Sequence, residues 1–173
     1  MICTSILAKT VEAMLVQVRE AKKQGADLVE LRPTWEGGQY NGDEGMRQSA
    51  LHKAMELGAD YVDVEFKVAD EFFKSINDDE KELNKTNIIV SSHNFVNTPS
   101  LEEFGGLMAS IQAVGADIVK IATTAVYITD NARIMQLLAY SQVPMIRVVM
   151  GEKGLNVKDT QREIWWIPYI CNP

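Results

Sequence analysis

Hydrophobic positions along the chain follow two alternating patterns, one with the period of an amphipathic helix and one typical of a short buried strand. Three amphipathic segments, Val11–Lys23, Met46–Leu57 and Leu101–Val114, are each followed by Gly-Ala-Asp and a short apolar run. These repeats are GADLVEL, GADYVDV and GADIVKI, starting at Gly25, Gly58 and Gly115. Glycine just past a helix end is the expected C-cap, and β-branched runs after it indicate strands. The pattern therefore predicts three helix–glycine–strand units.

Further apolar runs raise the number of predicted strands to six, and they cover Ile2–Leu7, Asn87–Ser92 and Val143–Met150. Ser100 followed by Glu103 forms a capping box, which predicts a helix start there. Helices and strands alternating with a period of about 30 residues indicate a parallel α/β architecture. The first strand is not followed by the glycine-rich phosphate loop of a doubly wound sheet, so we favour a (β/α)8 TIM-barrel type. A full barrel needs eight units, and we predict an incomplete one with about six.

Composition limits the possible classes of function. The chain has 173 residues, of which 46% are hydrophobic, and a formal net charge of −7. This is enough for one globular domain, and the acidic balance argues against nucleic-acid binding. No apolar run approaches the roughly 20 residues of a membrane span, and no secretion signal is evident. With two cysteines at opposite ends and two histidines, we expect a reducing, cytoplasmic compartment and no metal cluster.

Lys120 is the sharpest candidate for chemistry, because a cation within an apolar run is costly to bury. It lies between Val119 and Ile121 in the third repeat, and we expect it near a strand end. Two explanations are open at this point. The lysine either pairs with a carboxylate or is kept neutral, which makes it an amine nucleophile.

Other polar residues close predicted strands, where the active sites of parallel barrels lie. Glu30 and Arg32 point to the same face, either as a structural salt bridge or as a device that holds a polar or anionic substrate. His93 ends the run IIVSSH and is either a hydrogen-bonded surface residue or part of a site. Asp63 and Glu65 form a second same-face pair, for which a core ion pair is the simpler interpretation.

Several stretches together resemble the type I 3-dehydroquinate dehydratase family, particularly its plant members. They are VELR at 29–32, RPTWEGGQY at 32–40, ELGADYVDVEFKVA at 56–69, IIVSSHNFVNTPS at 88–100 and IQAVGADIVKIATTA at 111–125. A looser match follows at 142–155. The resemblance covers about residues 1–155, so we expect a dehydroquinase-like barrel domain there and a divergent tail over 156–173.

The resemblance implies a lyase of the shikimate pathway that converts 3-dehydroquinate to 3-dehydroshikimate through a lysine Schiff base, with no cofactor or metal. Its substrate is the only implied partner, without nucleic acid or membrane. The implied catalytic residues are the Schiff-base lysine, the general acid/base and a carboxylate: Lys120, His93 and Glu36. The implied substrate-binding residues are Glu30, Arg32 and Ser5. Plant relatives work in plastids, so that compartment is the alternative to the cytoplasm.

Two departures from the family pattern predict an internally deleted and C-terminally truncated dehydratase. The ELR strand and the WEGG loop are joined at Arg32-Pro33, which removes one βα unit and one binding arginine. After Gly154-Leu155 the family's last arginine and lid do not follow. We keep two alternatives, an impaired or inactive chain that at most binds substrate or a partner, and a class I aldolase. The aldolase would account for Lys120 but not for SSHNF or WEGGQY.

Overall fold

Strands and helices alternate along the chain, as predicted. The computed structural model describes residues 3–6, 10–25, 28–31, 43–56, 58–76, 86–140 and 144–154. The elements in chain order are β1 (Cys3–Ile6), α1 (Val11–Lys23), β2 (Leu28–Leu31), α2 (Glu44–Glu56), β3 (Tyr61–Glu65), α3 (Phe66–Ser75), β4 (Asn87–Asn94), α4 (Leu101–Ala113), β5 (Ile118–Thr124), α5 (Asp130–Tyr140) and β6 (Met145–Met150). This order confirms the α/β class.

The chain divides into two compact units, and β3 is divided between them, with residues 61–63 in the first and 64–65 in the second. The first unit contains β1, α1, β2 and α2, and β1 pairs in parallel with β2, with Ser5 opposite Glu30. The second unit contains α3, α4, α5 and most of a four-stranded sheet in the order β3–β4–β5–β6. The pairing of β4 with β5 and of β5 with β6 is parallel.

The central strands β4 and β5 are buried on both faces. Four successive residues of β4, Ile88 to Ser91, are buried, and so are the first six residues of β5. Continuous burial is typical of parallel strands that are covered on both sides. The helices of the second unit add fully buried side chains to this core: Phe72, Phe104, Ile111 and Ile134. Polar residues inside this core are therefore exceptional and are the first candidates for function.

The Gly-Ala-Asp repeats end helices, as predicted. Gly25, Gly58 and Gly115 have φ angles of 86°, 78° and 101°, a left-handed conformation that favours glycine. In the third repeat the aspartate, Asp117, also forms hydrogen bonds with the neighbouring strand β4. The backbone N–H of Ile88 donates to the Asp117 carboxylate at 2.8 Å, and the Asp117 N–H donates to the Ile88 carbonyl at 3.0 Å. This pair of bonds fixes the start of β4 beside the start of β5.

The capping box predicted at the start of α4 is present. The Glu103 N–H donates to the Ser100 hydroxyl at 3.2 Å, and the Ser100 N–H donates to the Glu103 carboxylate at 2.8 Å. The Ser100 hydroxyl also donates to that carboxylate at 2.8 Å. Because these bonds favour the ionised form, they hold the pKa of the Glu103 carboxyl below its ordinary value of 4.5.

The box should make the stability of the chain depend on pH in a defined window. The pKa of Glu103 is lower in the folded state, so its contribution is complete above about pH 4.5 and is lost as the pH falls through the folded pKa. The matched control is Glu103→Gln, which keeps an acceptor but does not titrate. We expect the difference in urea midpoint between the unaltered chain and Glu103→Gln to narrow as the pH falls below about 4.5, because the unaltered chain then loses the stabilisation from its carboxylate. A difference that stays constant from neutral to acidic pH would contradict the capping role.

The structure differs from the sequence prediction in three local respects. Helix α2 begins two residues earlier than predicted because the Asp43 carboxylate accepts a hydrogen bond from the Met46 N–H at 3.1 Å, which favours a helix start there. Helix α3 is not predicted, since it follows β3 without an intervening glycine, proline or turn. Helix α5 is not predicted either. The predicted tail over 156–173 lies outside the described residues.

Candidate active site

Lys120 is the third of the seven residues of β5, so it lies in the strand rather than at its end, where we expected it. Only 3% of its surface is exposed. In the sheet it lies between Ser91 of β4 and Ile146 of β6. An ammonium group at such a position is costly unless it is paired, and a neutral amine there is shielded from water. The position is therefore compatible with both explanations that the sequence leaves open.

His93 lies on the same face of the sheet as Lys120. The register partner of Lys120 is Ser91, and His93 is two residues further along β4, opposite Ala122. Side chains two residues apart in a strand share a face. With strands about 4.8 Å apart and a rise of about 3.3 Å per residue, the Cα atoms of His93 and Lys120 are roughly 8 Å apart. Ser91 and Ala122, both with small side chains, are the other two residues of this four-residue patch.

The imidazole of His93 is half-buried and stacks on the ring of Phe95. The ring centroids are 6.0 Å apart and the planes are inclined by 11°. Offset stacking of this kind restricts rotation of the histidine ring. His93 is thus held by the loop that follows β4, in addition to its own strand.

Glu65 is a further site candidate, although a core ion pair is the simpler interpretation of the sequence pattern. It is the last residue of β3, the neighbour of β4 in the sheet, and it is 3% exposed, whereas Asp63 is half-buried. A carboxylate at the end of the strand beside that of His93 occupies a position where barrels carry functional groups. The sequence signal for Glu65 as a site candidate is its position at the end of a predicted strand, which it shares with His93.

Arg147 is the basic residue of β6, but it lies on the other face of the sheet from Lys120. Its register partner is Ile121, whereas Ile146 is the partner of Lys120. Burial lowers the pKa of the Arg147 guanidinium. The group still remains charged at neutral pH, because the ordinary pKa of arginine lies far above 7. Arg147 therefore does not lie on the face that carries Lys120 and His93.

Buried polar side chains fix the loop that follows the lysine strand. The Asp130 carboxylate accepts hydrogen bonds from the N–H groups of Val126 and Tyr127, each at 2.9 Å. The Asn131 amide donates to the Lys153 carbonyl at 2.8 Å, and the Lys153 ammonium donates to the Val126 carbonyl at 2.7 Å. These bonds tie the loop after β5 to the turn after β6. The carboxyl ends of the two strands are thereby held together.

Removing the Asp130 carboxylate should loosen this loop. We expect Asp130→Ala to lower the free energy of unfolding by about 1–2 kcal/mol, since two loop N–H groups lose their acceptor. Asp130→Asn keeps one acceptor oxygen and should cost clearly less. Urea unfolding of the three proteins measures the difference. Equal losses for the alanine and asparagine variants would contradict the assigned role.

The remaining predicted site residues are only partly described. Ser5 and Glu30 are register partners in the β1–β2 pair, so the structure places these two predicted substrate-binding residues at one level of adjacent strands. They belong to the first unit, whereas Lys120 and His93 belong to the second. Arg32 and Glu36 lie outside the described residues, and their roles stay predictions.

A cavity of about 410 Å³ opens beside His93 and the loop that follows β4. Its lining includes Phe104 and Leu107 of α4 together with Ile121 and Thr123 of β5. Ala122, which lies on the same face of β5 as Lys120, also lines the cavity, whereas Lys120 itself does not.

A metal centre and a membrane span have no basis in the described part of the chain. There, no group of three or more His, Cys, Asp or Glu residues could hold a metal ion. The described helices also lack the length and apolar character that crossing a membrane requires.

Comparison with known proteins relates this arrangement to one enzyme family. The sequence model of type I 3-dehydroquinase matches residues 31–157, which include Lys120 and His93. The chain belongs to the type I 3-dehydroquinase family. A chloroplastic bifunctional 3-dehydroquinate dehydratase/shikimate dehydrogenase of Arabidopsis thaliana is 47% identical to it over 184 residues, covering 90% of this chain and 30% of the relative. The 3-dehydroquinate dehydratase of Desulfotalea psychrophila is 38% identical over 130 residues, covering 73% of this chain and 57% of that protein.

The fold is also that of type I 3-dehydroquinase proteins. A type I 3-dehydroquinate dehydratase from Clostridium difficile matches with a TM-score of 0.70 at 20% sequence identity, covering 88% of this chain and 75% of that chain. At this identity the likeness establishes the fold alone. The fold class is therefore α/β of the (β/α)8 type, and the described residues contain six of its strands. Family membership leaves the class I aldolase alternative without support.

Proposed function

We propose that the chain is a 3-dehydroquinate dehydratase, a hydro-lyase that converts 3-dehydroquinate to 3-dehydroshikimate in the shikimate pathway, which leads to chorismate and the aromatic amino acids. The observation that carries this proposal is the position of Lys120 and His93. They lie on one face of adjacent parallel strands, two residues apart in register, in a chain of the type I family. The relatives that support it carry the same activity in their names.

Lys120 supplies the nucleophile in this mechanism. Its neutral amine adds to the ketone carbon of the substrate, and loss of water gives a protonated imine. The positive imine nitrogen withdraws electrons and makes the neighbouring C–H group more acidic. Burial of Lys120 keeps bulk water away from this intermediate, which would otherwise hydrolyse before elimination.

His93 moves the proton. Its neutral imidazole removes a proton from the carbon next to the imine, and the electron pair of that C–H bond forms an enamine. The enamine then expels the hydroxyl group on the next carbon, which leaves as water with a proton from the imidazolium. Hydrolysis of the imine consumes one water and releases the product and the Lys120 amine. The net change is the loss of one water from the substrate.

The other side chains are assigned to binding and orientation. We assign Glu65 to stabilise the charged imidazolium of His93, because it ends the neighbouring strand in buried surroundings. Glu36 stays in the catalytic set, and Glu30, Arg32 and Ser5 stay as substrate-binding residues, on the family resemblance. Since Arg147 lies on the other face of its sheet, Arg32 is the arginine proposed for the substrate carboxylate.

The extent and the location of the enzyme are part of the proposal. We assign the dehydratase domain to residues 1–155, with a divergent tail over 156–173. The plastid is the proposed compartment, because the Arabidopsis relative is described as chloroplastic. The alternative, an inactive chain that only binds substrate, has no support in the names of the relatives.

Turnover of 3-dehydroquinate by the purified chain tests the proposal. We expect product formation by the unaltered chain, none by Lys120→Ala, and a loss of at least about a hundredfold in His93→Ala, the usual contribution of a general acid/base. Lys74→Ala is the matched control, because Lys74 is exposed on α3 and should leave the rate unchanged. A chain that unfolds cooperatively and produces no 3-dehydroshikimate would contradict the proposal. Activity that survives in Lys120→Ala would also contradict it.

A further inference from the structure

The loop that follows His93 makes a tight turn built by Asn94. The Asn94 side-chain oxygen accepts hydrogen bonds from the N–H groups of Val96 at 2.9 Å and Asn97 at 3.0 Å. This turn carries Phe95, whose ring stacks on the imidazole of His93. The place of the histidine ring therefore depends on the peptide that joins Asn94 to Phe95.

Thr124 holds this turn from the neighbouring strand. It ends β5 four residues beyond Lys120 and lies on the face of that lysine. Its hydroxyl donates to the Asn94 carbonyl at 3.1 Å, and its N–H donates to the Asn97 carbonyl at 3.4 Å. The strand of the lysine thus contacts both ends of the turn that follows the histidine.

The orientation of the Thr124 hydroxyl is itself constrained. A Cβ atom built at Gly151 would lie only 3.2 Å from the Thr124 methyl group, so the backbone of the turn after β6 passes close to that methyl group. The side chain of threonine is also stiff about its first torsion angle because it is β-branched. With the methyl group against the Gly151 turn, the hydroxyl is directed to the Asn94 carbonyl.

We propose that Thr124 is a positioning residue that acts through the Asn94–Phe95 peptide. By fixing that peptide, its hydroxyl keeps Phe95 stacked on His93 and keeps the imidazole at its place beside the carbon that loses a proton. The catalytic consequence rests on the proposed function. The positional consequence does not, since it concerns only the contacts among Thr124, Asn94, Phe95 and His93.

Nuclear magnetic resonance of the histidine rings tests the positional role directly. The chain has two histidines, so His52 of α2 serves as an internal reference for His93. We expect Thr124→Val to change the ring-proton shifts of His93, because the ring current of Phe95 is altered, and to leave His52 unchanged. Thr124→Ser keeps the hydroxyl and should retain most of the shift of the unaltered chain.

Thr123→Val is the matched control. The Thr123 side chain lies on the other face of β5, beside its register partner Asn94, and its hydroxyl accepts a hydrogen bond from the Thr98 hydroxyl at 3.2 Å. It should leave the His93 resonances in place. The proposal is overturned if Thr124→Val leaves these resonances unchanged, or if Thr123→Val or Thr124→Ser moves them as far as Thr124→Val does.

Kinetics separate the positional role from the chemistry. In Thr124→Val we expect kcat to fall about ten- to a hundredfold through misplacement of the base, while KM stays within about twofold. The amount of imine formed at Lys120 should not change. If the unaltered chain has no turnover, the proposed function fails, and the resonance experiment still decides the role of Thr124. A normal kcat in Thr124→Val alongside displaced His93 resonances would overturn the catalytic part of the inference.

Discussion

The register of β4 against β5 is the constraint on which the candidate site depends. Side chains alternate between the two faces of a strand, so a slip by one residue would move His93 to the face opposite Lys120. Hydrogen bonds outside the ladder hold this register at both ends of the strand pair. At the start the Asp117 carboxylate accepts from the Ile88 N–H, and at the end the Thr124 hydroxyl donates to the Asn94 carbonyl.

The same register determines which side chains of β4, β5 and β6 lie on each face of the sheet. Lys120 and His93 share one face, and the other face carries the buried apolar residues Val119 and Ile121 together with Thr123 and Arg147. Because β4 and β5 are buried on both faces, a polar side chain within them is costly to desolvate unless it has a hydrogen-bonding or ionic partner. A polar residue that is kept there in spite of this cost is a candidate for function. Beyond the lysine, the loops after β5 and β6 are joined by the bonds of Asp130, Asn131 and Lys153. The proposed chemistry thus lies beside two strand ends whose loops are joined by hydrogen bonds.

Local signals in the sequence predict much of this fold, and the failures have physical causes. The repeat glycines and the Ser100–Glu103 box predict helix ends and a helix start because each depends on neighbours within a few residues. The sequence also predicts Lys120 and His93 as site candidates, but it places the lysine at a strand end, whereas the structure has it third in the seven-residue β5. The bond from Thr124 to Asn94 spans 30 residues and exists only in one strand register, so no local pattern predicts it.

The central claim is that Lys120 forms an imine with the substrate, and borohydride reduction tests it most directly. The folded chain is incubated with 3-dehydroquinate, reduced, and examined by intact-mass measurement and peptide mapping. The account predicts one covalent adduct, located on Lys120, which persists in His93→Ala because imine formation precedes proton removal. Folded protein that acquires no adduct, or an adduct located on a different lysine, would contradict the account.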